Sequence, residues 1–235
     1  MKVEIWSDFV CPFCYIGKRQ LEKAIDDLGY TGQIEVEFKS FILDPTTEDG
    51  QDESIYEHLS KKYGMPMDEV KKMTFGVVQR AKEVGLAYDF DQLKTANTLK
   101  AHRLAKWAYS KGKGAEFSER VFHAYFMEGK PIGKQDVLIR LAEEAGLDGK
   151  EAEEVLNNGQ FSKEVEKDIR QAQIYGIRGV PFFVFENKYG ISGAQPQEVF
   201  EQTIKKVAEE KGLKPSIEIL GKEGNVCSDG DCDLQ

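Results

Sequence analysis

An α/β fold, in which a small sheet is interrupted by a long helical insertion, is what the sequence predicts, and three observations predict it. Residues 2 to 7 and 34 to 42 alternate apolar with polar side chains on either side of a helical stretch, which makes a β-α-β opening. Residues 53 to 173 are rich in Ala, Leu, Glu and Lys at helical spacing. The strand pattern then returns in Phe182-Phe183-Val184-Phe185-Glu186, so the two parts of one sheet lie far apart in the chain.

Taken in order, the first strand is Lys2-Val3-Glu4-Ile5-Trp6-Ser7, and Asp8-Phe9-Val10 leads into a helix expected from about 11 to 28, ended by Gly29. The second strand closes at Leu43-Asp44-Pro45. Interruptions at Gly64-Met65-Pro66, Lys111-Gly112-Lys113-Gly114 and Gly129-Lys130-Pro131 divide the central region into five or six helices. A turn at Asn187-Lys188 precedes a strand over 189 to 193, and a helix is expected over about 196 to 211. The tail after Pro215 is Gly-rich and polar and is expected to be a mobile arm.

At 235 residues the chain buries a full core without cysteine staples, as one elaborated domain or a domain with an insertion. Its net charge of −9, with acidic and basic residues intermixed, argues against nucleic acid as a partner. No run approaches membrane-spanning length, and the first residues carry charges where a secretory signal needs an apolar stretch. The expected setting is therefore the cytoplasm. Only four cysteines occur, in two tight pairs, Cys11/Cys14 and Cys227/Cys232, a usage that points to redox chemistry or metal binding rather than to structural cross-links.

A Cys-x-x-Cys that follows a strand and opens a helix places its first sulfur at the helix N-terminus, where unpaired N–H groups and the macrodipole favour a thiolate. The thiolate is the nucleophile of disulfide exchange. Cys11, nearer the helix start and expected to be exposed, is the candidate attacking residue, and Cys14, one turn further in, the candidate resolving one. Pro12 suits the first helical turn. Phe13 has no hydrogen-bond donor to offer the Cys11 thiolate, so less stabilisation is expected than a histidine there would give. Buried structure and half of a zinc site are the competing readings of an isolated motif of this kind.

Gly179-Val180-Pro181-Phe182-Phe183-Val184 places a proline at the start of an apolar strand, where it is tolerated. Combined with the Cys11-Pro12-Phe13-Cys14 helix, this resembles the active-site cysteines and facing cis-proline of the thioredoxin superfamily. Ser7 to Gly17, Phe41 to Pro45, Asn97 to Leu104 and Gly176 to Phe183 narrow the resemblance to the DsbA-like branch and its FrnE-type oxidoreductases, over nearly the whole chain. The resemblance implies a thioredoxin fold with an inserted all-helical domain: residues 1–48 and 174–214 form its two halves, 49–173 the insertion and 215–235 the arm. It implies that Cys11 and Cys14 cycle between dithiol and disulfide while Val180-Pro181 lies against them, the Val180 main chain receiving an extended peptide by strand addition. Partners would be protein or peptide thiols and disulfides, with a reductase or glutathione supplying electrons. No metal or cofactor is expected, glutathione being a candidate co-substrate, and no signal sets an oligomeric state. Phe13 in place of that branch's histidine moves the expected role from periplasmic oxidation to disulfide exchange in the cytoplasm.

Three further features carry alternatives. Cys227-x4-Cys232 is read as a second redox pair that exchanges with Cys11/Cys14, against an inert tail or a zinc site shared by both pairs. His102, a turn after Asn97-Thr98, shares its local motif with glutathione-dependent 2-hydroxychromene-2-carboxylate isomerases and kappa-class glutathione transferases; a lone helical histidine is more often structural than pocket-lining. Those relatives usually carry serine at the position of Cys11, so two cysteines here favour dithiol chemistry over a glutathione-dependent isomerase or a zinc-binding module. His58 and His123 lack ligand-type neighbours at metal spacing. Phe117, Phe122, Tyr125 and Phe126 fall at helical spacing and are expected in the core.

Overall fold

A computed structural model describes residues 1–48 and 53–216, together with the backbone of 227–228 and 231–232. Strand β1 (Lys2–Ser7), helix α1 (Pro12–Asp27) and strand β2 (Glu35–Ser40) form the expected opening, and β1 and β2 run parallel with Val3 opposite Val36 and Ser7 opposite Ser40. Strands β3 (Phe182–Phe185) and β4 (Tyr189–Ser192) complete a four-stranded sheet of order β2-β1-β3-β4, antiparallel beyond β1. The fold is a thioredoxin fold whose sheet is interrupted by helices.

Alternation sorts the strands' side chains onto two faces. Val3, Ile5, Phe183, Phe185 and Ile191 pack with Leu21 and Ala24 of α1 and with Phe200 and Ile204 of the closing helix α9 (Gln197–Lys211). Trp6 and Val184 face the other way, onto Ala172. The largest cluster lies between the inserted helices and the start of α1, and Phe117, Phe122, Tyr125 and Phe126 are all buried in it, as their spacing predicts.

Between β2 and β3 the described residues form seven helices, not five or six: α2 (Ile55–Tyr63), α3 (Met67–Glu83), α4 (Leu99–Ser110), α5 (Gly114–Phe126), α6 (Gln135–Glu144), α7 (Gly149–Asn157) and α8 (Ser162–Ile174). The extra breaks are short and side-chain driven. Asp148 accepts from Lys150 N and Glu151 N and so starts α7, and Gly159, with φ +65°, turns the chain before α8. Residues 87–98, expected within the helical region, contain no helix.

Other boundaries moved for local reasons. Strand β2 stops at Ser40 because Phe41 N makes one more bond to Ser7 O (3.0 Å), after which Leu43 N turns to the Asp8 side chain. The β3–β4 turn begins at Glu186, not Asn187, since Glu186 and Asn187 both take positive φ. Pro215 and Ser216, expected to begin the arm, are still attached to the body: Ser216 N donates to Gly29 O at 2.7 Å. The arm's expected mobility and its cysteine side chains lie outside the described residues; the backbone of Cys227 pairs antiparallel with that of Cys232. Among the described residues no helix is long and apolar enough to cross a membrane.

Candidate active site

Cys11 is the N-cap of α1, in extended backbone conformation, with Pro12 opening the helix. Its N–H donates to Asp8 O (3.0 Å), and Cys14 N donates to Cys11 O (3.1 Å). Cys11 is not exposed as the sequence suggests: its surface is only 5% accessible. The Val180 carbonyl approaches its Sγ to 3.5 Å, and Val10, Phe13 and Val180 pack against the same cluster. Both cysteines are free thiols.

Cys14 is wholly buried, and burial pushes its thiol well above the ordinary value of 9.0, helped by the hydrogen bond and charge of Cys11 beside it. The two sulfurs of one motif thus occupy unlike surroundings. Cys11 lies at the helix mouth, and Cys14 in the apolar interior favours its protonated form.

The Val180–Pro181 peptide is cis. Pro181 O accepts from Gly193 N at 2.8 Å, which ties the loop before β3 to the end of β4. Gly17 allows the approach of α1 to this strand, because a Cβ there would lie 2.9 Å from Phe183 Cζ and 3.3 Å from Pro181 Cγ. Phe13 lies under the guanidinium of Arg80 from α3, 5.1 Å from the ring centroid, and Arg80 Nη2 also donates to Ala194 O (2.9 Å). A cation from the insertion therefore caps the middle of the cysteine motif.

The floor of the site is aromatic and polar in turn. Tyr88 Oη donates to Pro12 O at 2.8 Å, and its phenol is pushed far up by burial. Asp8, fully buried, accepts from Leu43 N (2.8 Å) and lies 3.2 Å from His102 Nε2. Asn97 Nδ2 donates to Thr47 O at 2.7 Å. His102 and Asn97 thus hold Asp8 and the segment after β2, one layer behind Cys11.

The structure brings Cys11, Pro12, Phe13, Cys14, Val180 and Pro181 together, places His102 behind them through Asp8, and leaves the side chains of Cys227 and Cys232 outside the described residues. Asp8, Arg80 and Tyr88 were missed as site residues. Asp8 lies three residues before Cys11 and reads in the sequence as part of the lead into the first helix; Tyr88 lies in a stretch whose helical periodicity lapses after Gly85. His58 and His123 do have acidic neighbours in space, Glu53 at 3.5 Å and Glu128 at 2.8 Å. Among the described residues no group of three or more His, Cys, Asp or Glu side chains is placed to hold a metal ion.

A β-α-β opening with two thiols at the first helix start, facing a cis-proline before an antiparallel strand pair, defines a dithiol protein of thioredoxin fold. The family model of the DSBA-like thioredoxin domain matches residues 2–205, and the chain belongs to that family. An uncharacterized Bacillus subtilis protein, YwbO, is 31% identical over 204 residues, 86% of this chain and 94% of that one. A probable DsbA oxidoreductase from Streptomyces coelicolor, 32% identical, superposes with a TM-score of 0.84 over 100% of this chain and 99% of its own. The cytosolic disulfide reductase DsbM from Pseudomonas aeruginosa shares the fold, at 19% identity, with a TM-score of 0.60 over 89% of this chain and 100% of its own.

Proposed function

We propose that the protein is a thiol–disulfide oxidoreductase acting on protein or peptide disulfides, with Cys11 as nucleophile and Cys14 as resolving thiol. The observation that carries this reading is the inequality of the two sulfurs: Cys11 at the N-cap of α1 against the Val180 carbonyl, and Cys14 buried with its thiol pushed up. The Cys11 thiolate attacks one sulfur of a substrate disulfide, forming a mixed disulfide and releasing the other sulfur as a thiolate. Cys14, giving up its proton to a departing thiolate, then attacks Cys11 Sγ and frees the second substrate thiol. The substrate gains two electrons and the Cys11–Cys14 pair is oxidised to a disulfide; a thiol reductant, glutathione or a protein dithiol, resets it, and the reverse sequence oxidises substrates.

Val180 is the reading's second support, its main chain lying beside the nucleophile where an extended peptide adds as a strand. The tail pair Cys227/Cys232 serves in this scheme as an internal partner that exchanges disulfides with Cys11. Four cysteines in two close pairs suit a reducing compartment, where exchange is favoured over structural cross-linking.

Insulin reduction under dithiothreitol tests the proposal. The wild type accelerates chain precipitation, Cys11→Ser falls to the buffer rate, and reduced Cys14→Ser, freed of dithiothreitol before insulin is added, accumulates a mixed disulfide with insulin visible on a non-reducing gel. Equal precipitation by wild type and Cys11→Ser would sink the reading. Deleting residues 217–235 slows turnover if the tail is the internal partner and leaves it untouched if it is not.

A further inference from the structure

A cavity of about 160 Å³ opens beside the cysteine motif, with Val10 and Pro12 in its lining. Val10 and Pro12 flank Cys11 in sequence, and Leu43, Ile55, Leu59 and Tyr63 complete the apolar lining. Leu43 and Tyr63 at its rim are 41% and 56% exposed, unusual for large apolar side chains and a mark of surfaces that meet a partner. Thr95, in the same lining, is 7% exposed, and its Oγ1 has no hydrogen-bond partner among the described residues. A buried hydroxyl without a partner is costly, so a group arriving in the cavity gains by supplying one.

The charged groups in the lining already have partners. Lys62 Nζ donates to Asp44 Oδ2 at 3.1 Å, and Asp8 accepts from Leu43 N and lies 3.2 Å from His102 Nε2. A charged side chain entering would be desolvated without a counter-ion.

We infer that this cavity is a specificity pocket for one branched apolar side chain, such as leucine, next to the reacting cysteine of a polypeptide substrate, with Thr95 hydrogen-bonding the main chain that carries it. The inference rests on the assignment of Cys11 as nucleophile. Continuity with the cysteine motif decides the occupant: a peptide joined to Cys11 by a disulfide passes Val10 and Pro12 on its way into the cavity.

The test uses single-cysteine peptides activated as mixed disulfides with 5-thio-2-nitrobenzoate. The Cys11 thiolate attacks the peptide sulfur, the bond to the aromatic sulfur breaks, and the coloured thiolate leaves with the electron pair. Peptides carrying Leu, Ala or Lys on each side of the cysteine are compared on the reduced full-length protein, and every rate is divided by that of the same protein with 5,5′-dithiobis(2-nitrobenzoate). Leucine at one of the two positions is expected to react about 10-fold faster than alanine, with lysine slower still. Leu59→Asp reverses the order in favour of lysine; α2 has no fully buried residue, so the change leaves the core intact. If that variant fails to fold by circular dichroism, Ala96→Leu, which fills the cavity, is expected to abolish the leucine preference.

Equal rates for the three wild-type peptides, with normal release of the coloured thiolate, would overturn the pocket and leave Cys11 as nucleophile. No release above that of Cys11→Ser would remove the underlying assignment and the pocket with it. A glutathione mixed disulfide slowed more by Leu59→Asp than the leucine peptide is slowed would assign the cavity to glutathione and overturn the peptide occupant.

Discussion

Asp8 and Asp168 are both buried carboxylates against the sheet, 0% and 2% exposed, and their partners differ in kind. Asp168 lies within a closed belt of charge: it meets Lys39 Nζ at 3.1 Å, forms a tight ion pair with Lys106, and accepts from Ser40 N at 2.9 Å. Lys39 and Lys106 also lie within ion-pair reach of Glu37. Asp8 has a backbone N–H and an imidazole, and the hydroxyl of Thr95, which lines the same cavity, has no hydrogen-bond partner among the described residues. The belt sets two ammonium groups against Asp168 and fastens α4 and α8 to the sheet. The active-site end sets no lysine or arginine against Asp8 among the described residues and leaves the Thr95 hydroxyl unpartnered in the cavity beside the cysteine motif, where an incoming chain can use it.

The sharpest way to break this contrast is to remove each carboxylate. Asp168→Ala strands two largely buried lysines, and a stability loss of about 3 to 5 kcal/mol is expected, read as a lower urea midpoint at unchanged slope. Peptide exchange by the folded fraction should stay as in the wild type. Asp8→Ala leaves Leu43 N without its acceptor, and a smaller loss of roughly 1 to 3 kcal/mol is expected. Here exchange with peptide disulfides should slow severalfold, because the Leu43 side of the cavity is no longer held. Slower exchange in Asp168→Ala, with none in Asp8→Ala, would invert the division between fastening and function.

The same contrast explains what was legible in the sequence. Strands β1, β3 and β4 and helix α1 were readable because alternation and periodicity are local, and the Cys11/Cys14 and Val180-Pro181 motifs are local too. The burial of Cys11 was not readable, since it comes from Val180, far away in the chain and brought over the sulfur by the β1–β3 pairing. The stretch before α4 was misread as helical because its structure is built from distant bonds: Tyr88 to Pro12 O, Asp89 N to Phe126 O, and Thr95 N to Glu53 O. His102 stands out in the sequence, but its partner Asp8 is found only in space. The belt has no local signal, because Lys39, Lys106 and Asp168 lie far apart in sequence and meet only in space.

The smallest expected effect concerns pH and separates the belt's electrostatics from its packing. Although burial opposes it, the hydrogen bond from Lys2 and the charges of Lys39 and Lys106 hold the Glu37 carboxyl below its ordinary value of 4.5. A folded-state value below the unfolded one means that the native state binds fewer protons, so the contribution of Glu37 is fully present above pH 4.5 and is lost as pH falls through the depressed value. Lys39 works in the opposite sense: although burial pulls it down, Asp168, Glu37 and Glu4 raise its ammonium above the ordinary 10.5, and its contribution persists below that pH and fades only in strong alkali. Urea midpoints recorded downward from pH 6 should therefore fall less steeply in Glu37→Gln than in the wild type, while the two slopes agree near neutrality. Because Lys39, Lys106 and Glu37 are mostly shielded from solvent, the difference should survive added salt, which screens exposed pairs such as Lys23–Asp27 far more strongly. Identical acid slopes in the two proteins would mean that the belt holds α4 and α8 to the sheet by packing and hydrogen bonding, with charge contributing little.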